Sequence, residues 1–437
     1  MKILPDAFIQ KYQELLGQEA AAFFASLKEE PVPAFRTNPL KKSQQSFSCT
    51  IPNTDWGHYG KISGKSAEHV TGLVYSQEPA AQMVGQAAAP KKGMRVLDLA
   101  AAPGGKSTHI LSYLDNTGIL VSNEISSKRC KSLVENIERF GAQNVVVTNE
   151  SAQNLAKTFR HYFDLIVFDA PCSGEGMFRK EPEAVRNWQD SLPAKCADLQ
   201  KQILREAIPM LAYGGQLVYS TCTWSPEENE EVVSWLLQEY DYLDIVELPK
   251  LNGMTEGIGL PEAARMYPHR FKGEGQFIAK IKDNRDEKAV SLPRGKSNLT
   301  REEAQLWQEF AAKHLKRPLK GLLQTFGANL YLLPDGLPDL SGLKIARNGL
   351  HLGTFKKKRF EPSFALGLAL PKHDIEQSIE IDIEQFKRYV SGDIIFLTDT
   401  YPNGWYQLCV KGNGLGFAKV VGHTIKNYFP KGLRFYA

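Results

Sequence analysis

No run of about eighteen apolar residues occurs in the 437-residue chain, so no helical membrane span is expected. Met1-Lys2-Ile3-Leu4 meets Pro5 and Asp6 before an apolar segment can build, which argues against a secretory signal peptide. The six cysteines (Cys49, Cys130, Cys172, Cys196, Cys222, Cys409) include no Cys-x-x-Cys pair, which excludes a zinc site of that kind and offers no disulfide framework. No metal is expected. No internal repeat or low-complexity tract is present, so a solenoid is excluded as well. What remains is a cytoplasmic chain without a membrane partner. At 42% hydrophobic and 23% charged residues it has ample core for two to four domains.

The most informative stretch runs from Val96 to Ser107. Its apolar start predicts a buried parallel strand, Pro103-Gly104-Gly105 a tight turn, and the residues from Lys106 a helix opening whose backbone N–H groups face a ligand. A P-loop would need glycine where Ala101 stands, and the dinucleotide fingerprint Gly-x-Gly-x-x-Gly is missing. The turn therefore reads as a cofactor cradle of another type.

Downstream, strand-like segments at Ile119 to Asn123, Asn144 to Thr148, Asp164 to Phe168, Gln216 to Ser220 and Gln276 to Ile281 alternate with amphipathic helices such as Ser127 to Phe140 and Leu199 to Leu211. This alternation predicts an α/β fold, a doubly wound sheet whose ligands sit at the carboxyl ends of the strands. Glu124 stands twenty residues beyond Gly104, the spacing of an acid that accepts from a ribose diol. Cys172 and Cys222 fall at two strand ends in polar contexts, within expected reach of one substrate. A buried core thiol is the bland alternative for either one alone.

The motifs Asp98-Leu99-Ala100-Ala101-Ala102-Pro103-Gly104-Gly105-Lys106, Asp169-Ala170-Pro171-Cys172-Ser173-Gly174 and Ser220-Thr221-Cys222-Thr223, followed by Glu227-Glu228-Asn229-Glu230, resemble the RNA cytosine-5 methyltransferases of the Sun/Nop family. Within that family the sequence is most similar to bacterial enzymes that modify 16S rRNA and carry a C-terminal RNA-binding extension. The resemblance spans about residues 30 to 283. It implies a Rossmann-like class I methyltransferase core, S-adenosyl-L-methionine as cofactor, and RNA as substrate, 16S rRNA or the small ribosomal subunit. Ala100, Ala101, Ala102, Pro103, Gly104, Gly105 and Lys106 would wrap the methionine and ribose portions, and Glu124 the ribose hydroxyls. Relatives commonly hold the adenine amino group with an aspartate, and the aligned position here is Ser151.

Cytosine C5 is too weak a nucleophile to take the methyl group unaided, so the resemblance implies a thiolate adding first at C6. It gives that role to Cys222, release of the product to Cys172, and the proton shared with N3 to Asp169, which also borders the cofactor. DNA cytosine-5 methyltransferases use the cysteine of a Pro-Cys pair instead, which would point to Cys172. A silent RNA-binding or ribosome-assembly factor on the same fold would be expected to lack a catalytic cysteine or Asp169, and all three residues are present. An amino-group methyltransferase would need an Asn/Asp-Pro-Pro-aromatic turn, which Asp169-Ala170-Pro171-Cys172 does not supply.

Around this core the expected divisions are a helical N-terminal extension (1–70), the methyltransferase core (71–283), a polar linker (284–297) and a basic, β-rich RNA-binding region (298–437), resembling a PUA domain towards its end. After residue 287 there are 22 Lys and Arg against 13 Asp and Glu, and before it 31 against 36. The basic surplus is C-terminal, and it is densest at Lys356-Lys357-Lys358-Arg359 between Phe355 and Phe360, a candidate phosphate-contacting cluster. A chain ending after about residue 283 is expected to keep its fold. Nothing in the sequence calls for more than a monomer.

Overall fold

The apolar runs Val145–Thr148, Phe163–Asp169, Leu211–Thr221 and Gln276–Asp283 become strands of one sheet. The computed structural model describes residues 4–42, 46–287 and 292–436. The chain opens with helices α1 (Asp6–Leu16) and α2 (Ala20–Ser26), strands β1 (Ala34–Thr37) and β2 (Gly57–Tyr59), the short helix α3 (Ala67–Val70) and β3 (Val74–Ser76). Then come α4 (Pro79–Ala88), β4 (Arg95–Asp98), α5 (Gly105–Leu114), β5 (Ile119–Asn123), α6 (Ser127–Phe140), β6 (Val145–Thr148), α7 (Ala152–Thr158) and β7 (Phe163–Asp169). They are followed by α8 (Pro182–Asn187), α9 (Leu192–Ala207), β8 (Leu211–Thr221), α10 (Glu230–Glu239), β9 (Leu243–Val246), β10 (Thr255–Gly257), β11 (Leu260–Met266) and β12 (Gln276–Asp283).

Strands β6, β5, β4, β7 and β8 lie side by side and parallel, and β12 closes on β8 antiparallel. The order reverses between β4 and β7, the switch point at which a doubly wound sheet opens a crevice beyond its strand ends. Successive residues of each strand face opposite layers. Leu97, Val121, Val146 and Ile166 pack with Leu204 and Leu236 on one side, and Val96, Leu120, Val145 and Leu165 pack with Ile110 and Leu133 on the other. The doubly wound core is thus as the sequence predicts.

Its borders carry further elements. The opening helices of the N-terminal extension end at Ser26, with Gly17 at φ +53° between α1 and α2 and with Pro31 and Pro33 barring further helix. A three-stranded sheet, β2-β1-β3, follows, and since β3 pairs with β1 the extension runs past residue 70 to Ser76. The segment 284–297 does not set an independent region apart either, and its residues 288–291 lie outside the described residues. Beyond it come α11 (Arg301–His314), β13 (Leu322–Phe326), β14 (Asn329–Leu333), β15 (Ile345–Arg347), β16 (Leu350–Lys356), β17 (Arg359–Pro362) and α12 (Phe364–Ala369). Strand β15 leaves this module and pairs antiparallel with β6, at the edge of the core sheet. Arg347 there donates to the carbonyls of Val145 and Ala142, and Leu333 and Leu337 enter the main core. A lone parallel edge strand would expose unpaired backbone groups, and the C-terminal region covers them.

The last module holds β18 (Ser378–Glu380), α13 (Ile383–Ser391), β19 (Ile395–Phe396), β20 (Gly404–Val410), β21 (Asn413–Val421) and β22 (Thr424–Lys426), five strands in one sheet around Leu408, Val420 and Tyr389. The basic tetrapeptide at Lys356 forms the turn between β16 and β17, with Lys356, Lys357 and Lys358 exposed. Phe360 does not accompany them, because it is buried against Trp307 and Phe310.

Candidate active site

The crevice is built from the residues that end each parallel strand. Asp98 ends β4 fully buried; one carboxylate oxygen accepts from Ser107 Oγ at 2.6 Å and the other has no hydrogen-bond partner among the described residues. Burial pushes its pKa up to about 7, against the Ser107 hydrogen bond and Lys106. The turn that follows is pinned through its carbonyls: Arg129 donates to Ala102 O and Asn136 to Pro103 O, both at 2.7 Å, while Ala101 N donates to Asn123 O at 2.8 Å. Ala100 lies half-buried at the head of this turn. Gly104 opens α5 at φ +115°, a conformation that favours glycine, and a Cβ there would crowd Leu133 at 3.3 Å. Gly105 O accepts from Arg36 at 2.9 Å.

Glu124, beyond β5, is 2% exposed; its Oε2 has no hydrogen-bond donor among the described residues and is met only by the half-exposed Arg129 guanidinium, an ion pair at 3.5 Å. An open Asp98 oxygen, and a buried Glu124 oxygen that has an ion pair but no hydrogen bond, are what a polar ligand would satisfy. The residues present therefore fit a nucleoside cofactor. Beside them Ile125 is 72% exposed, an apolar face beside the acid that motif reading missed. Ser151 caps α7, its hydroxyl accepting from Asn154 N at 3.2 Å. Glu150 next to it is held by Asn154 and by the backbone of Lys344.

Lys106 turns away from the cradle and pairs with Asp169 at the end of β7. Burial pulls the Lys106 ammonium down, but Asp169, and after it Cys222 and Glu78, outweigh burial and raise its pKa. Asp169 also accepts from Ser220 Oγ at 2.7 Å and Gln276 Nε2 at 3.1 Å. Asp169 and Ser220 are direct neighbours in the β7–β8 register, so the chain segments leaving these strands emerge side by side. They carry the two thiols: Cys172 Sγ and Cys222 Sγ stand 3.3 Å apart. The Cys172 pKa is raised, first by its hydrogen bond to Cys222 and then by burial.

The acidic run after β8 fastens these segments from below. Glu228, fully buried, accepts from Ser173 N at 2.9 Å, from Ser173 Oγ and from Gln200 at 3.0 Å. Burial raises its pKa to about 7 against those donors. Asn229 accepts from Thr221 Oγ1 at 2.5 Å and donates to Thr223 O, and Glu230 pairs with the buried Arg265. Glu175 takes hydrogen bonds from Tyr12, Trp188 and Thr223, which ties helix α1 to the thiol segments.

The N-terminal sheet reaches the cradle through Arg36. Its guanidinium donates to Gln77 Oε1 at 2.6 Å, Gly105 O at 2.9 Å and Thr108 Oγ1 at 2.8 Å. Burial without a carboxylate partner lowers its pKa to about 9. The only sequence signal for this residue was a lone arginine in an apolar strand.

A sheet of this order, with buried acids open at the switch point, defines the class of Rossmann-like methyltransferases. Comparisons with known proteins make the assignment narrower. Residues 86–282 match the family described as 16S rRNA methyltransferase RsmB/F, residues 4–79 the N-terminal domain of RsmF, 309–370 its first C-terminal domain and 376–435 its PUA domain. Ribosomal RNA small subunit methyltransferase F of Serratia proteamaculans is 31% identical over 98% of this chain and 96% of that protein, and its Escherichia coli O157:H7 counterpart 30% over 98% and 96%. Among solved structures, a methyltransferase homolog from Pyrococcus horikoshii is 28% identical with a TM-score of 0.54, covering 63% of this chain and 93% of that one. NSun6 from the same organism shares the fold, at 23% identity, a TM-score of 0.56 and coverage of 65% and 100%. The chain belongs to the RsmF family of 16S rRNA methyltransferases.

Proposed function

We propose that this rRNA methyltransferase modifies C5 of a cytosine through a covalent adduct between Cys222 and C6. The observation that carries the reading is the 3.3 Å approach of two thiols beside an ion-paired carboxylate. S-adenosyl-L-methionine, when bound, supplies an electrophilic methyl group; Glu124, Asp98 and the turn from Ala100 to Gly105 are the residues that would hold it.

Cys222 is the attacking sulfur, on the segment that leaves β8 beside the Lys106–Asp169 pair at the end of β7. Cys172, whose proton is harder to remove, stands 3.3 Å from that sulfur. Addition of the Cys222 thiolate at C6 drives the ring electrons towards N3, where the Lys106–Asp169 pair supplies the compensating proton. The C5 carbon is then an enamine carbon and a competent nucleophile. After methylation the C5 proton passes to water, its bonding pair reforms the C5–C6 double bond, the C6–S bond breaks so that Cys222 leaves as thiolate, and the N3 proton returns to the Lys106–Asp169 pair; Cys172, 3.3 Å away, serves this release as hydrogen-bond partner of the departing sulfur.

Bisulfite sequencing of small-subunit rRNA from cells with and without the gene tests the product. Protection of at least one cytosine only when the gene is present is expected. Unchanged conversion at every cytosine, or a methyl group on an exocyclic amine, would overturn the proposal.

A further inference from the structure

Far from the thiols, a cavity of about 890 Å³ opens where three parts of the chain meet: the residues after β1, the segment around α11 and α12, and the five-stranded terminal sheet. Its size is that of a ligand cleft, but its walls are cationic. Lys41, Lys42, Lys316, Lys372, His373 and Lys411 line it. The two acids on its walls do little to offset them, because Glu380 is spent on Lys372 at 3.0 Å, which leaves Glu376 alone. Lys411 is paired with Glu68. Among the described residues no carboxylate forms an ion pair with Lys41, Lys42 or Lys316.

The walls are fixed to each other. Asn413 Nδ2 donates to Lys42 O at 2.8 Å, Lys316 N to Asp374 O at 2.9 Å, and Lys41 Nζ to Leu368 O. Lys41 lies at the carboxyl end of α6, where a Cβ on Gly141 would come within 2.8 Å of its Nζ. Burial lowers its pKa to about 8. The other end of α6 touches the cofactor turn through Arg129. Fourteen residues of helix separate the two ends, about 21 Å at 1.5 Å per residue.

We infer that this cleft is a docking site for the phosphodiester backbone of the substrate RNA, gripping it at the end of α6 away from the cofactor turn, about 20 Å from that turn. The inference rests on the reading of the chain as an RNA methyltransferase. Three lysines without a carboxylate partner among the described residues, on walls fixed to each other, neutralise a polyanion there. The lysines come from both ends of the chain, so the grip forms only when the N-terminal segment and the two C-terminal modules are assembled.

The test uses the full chain with the exposed pair reversed, Lys42→Glu with Lys316→Glu, against a control with the same charge change in the β16–β17 turn, Lys356→Glu with Lys358→Glu. Binding of a 16S rRNA fragment is followed by fluorescence anisotropy over a range of KCl concentrations. The cleft variant is expected to bind at least tenfold more weakly, with the slope of log K against log salt reduced by about 1.5, as for two lost phosphate contacts. The turn variant should lose much less, and S-adenosylhomocysteine should stabilise both variants as it does the parent. Equal losses in the two variants, or none in the cleft variant, overturn the inference. So does displacement of the RNA from the parent by inorganic phosphate or poly-glutamate as effectively as by oligonucleotide, which would make the cleft a small-anion or acidic-peptide site. If the parent protein itself neither binds nor methylates rRNA, the failure belongs to the proposed function instead.

Discussion

Glu228 offers the sharpest test of the scaffold beneath the thiols. Its carboxyl is fully buried under Ser173, the residue after Cys172, and burial lifts its pKa from the ordinary value of 4.5 to about 7. An acid whose pKa is raised on folding stabilises the protein in its protonated form. That contribution is complete below about 4.5 and is lost as pH rises to about 7, beyond which the loss is constant. At about 1.4 kcal/mol per pH unit, the loss between pH 4.5 and pH 8 is about 3 kcal/mol. Glu228→Gln cannot ionise. Its amide faces the donors of Ser173 and Gln200, a cost of about 1–3 kcal/mol, but the same at every pH. Urea denaturation of both proteins from pH 4.5 to 8 should therefore show the variant gaining about 3 kcal/mol on the parent across the range. Asp98, also raised to about 7, is present in both and cancels. Parallel stability profiles would refute the reasoning.

Two further perturbations probe how the outer modules serve the core. Arg36→Ala removes the guanidinium donors to Gln77 Oε1, Gly105 O and Thr108 Oγ1 and should cost about 2–3 kcal/mol in chemical denaturation and weaken S-adenosylhomocysteine binding measured by calorimetry; an unchanged midpoint and affinity would contradict its role under the cofactor turn. Truncation after residue 283 strips β15 from β6 and removes Leu333 and Leu337 from the core, so the shortened chain should aggregate in size-exclusion chromatography; a monodisperse, cofactor-binding fragment would contradict it.

The parallel strands were legible because both of their faces are covered, which writes them as continuous apolar runs such as Ile119 to Val121 and Val145 to Val147. The ends of those strands, and with them Asp169, Cys172 and Cys222, followed from the fold. Strand β15 was not legible: three residues in a glycine-rich polar stretch form a strand only because β6 offers an edge. The N-terminal sheet escaped for the same reason, since β1, β2 and β3 have four, three and three residues. Spacing placed Lys106 in the cradle but gave no sign that its side chain turns to Asp169. The basic run at Lys356 drew attention by its density along the chain, while the lysines of the larger cleft are scattered from residue 41 to residue 411 and converge only in space.

The central claim is that the two sulfurs of one 3.3 Å pair act at opposite ends of a covalent cycle. Its most direct test incubates the Cys172→Ala and Cys222→Ala variants with S-adenosylmethionine and rRNA and resolves the products by denaturing electrophoresis. Cys172→Ala should add, methylate and stall, giving a protein–RNA band that survives denaturation; Cys222→Ala, with no attacking sulfur, should give none, and the double variant none either. A resistant band from Cys222→Ala that is missing from Cys172→Ala would reverse the roles and contradict the account.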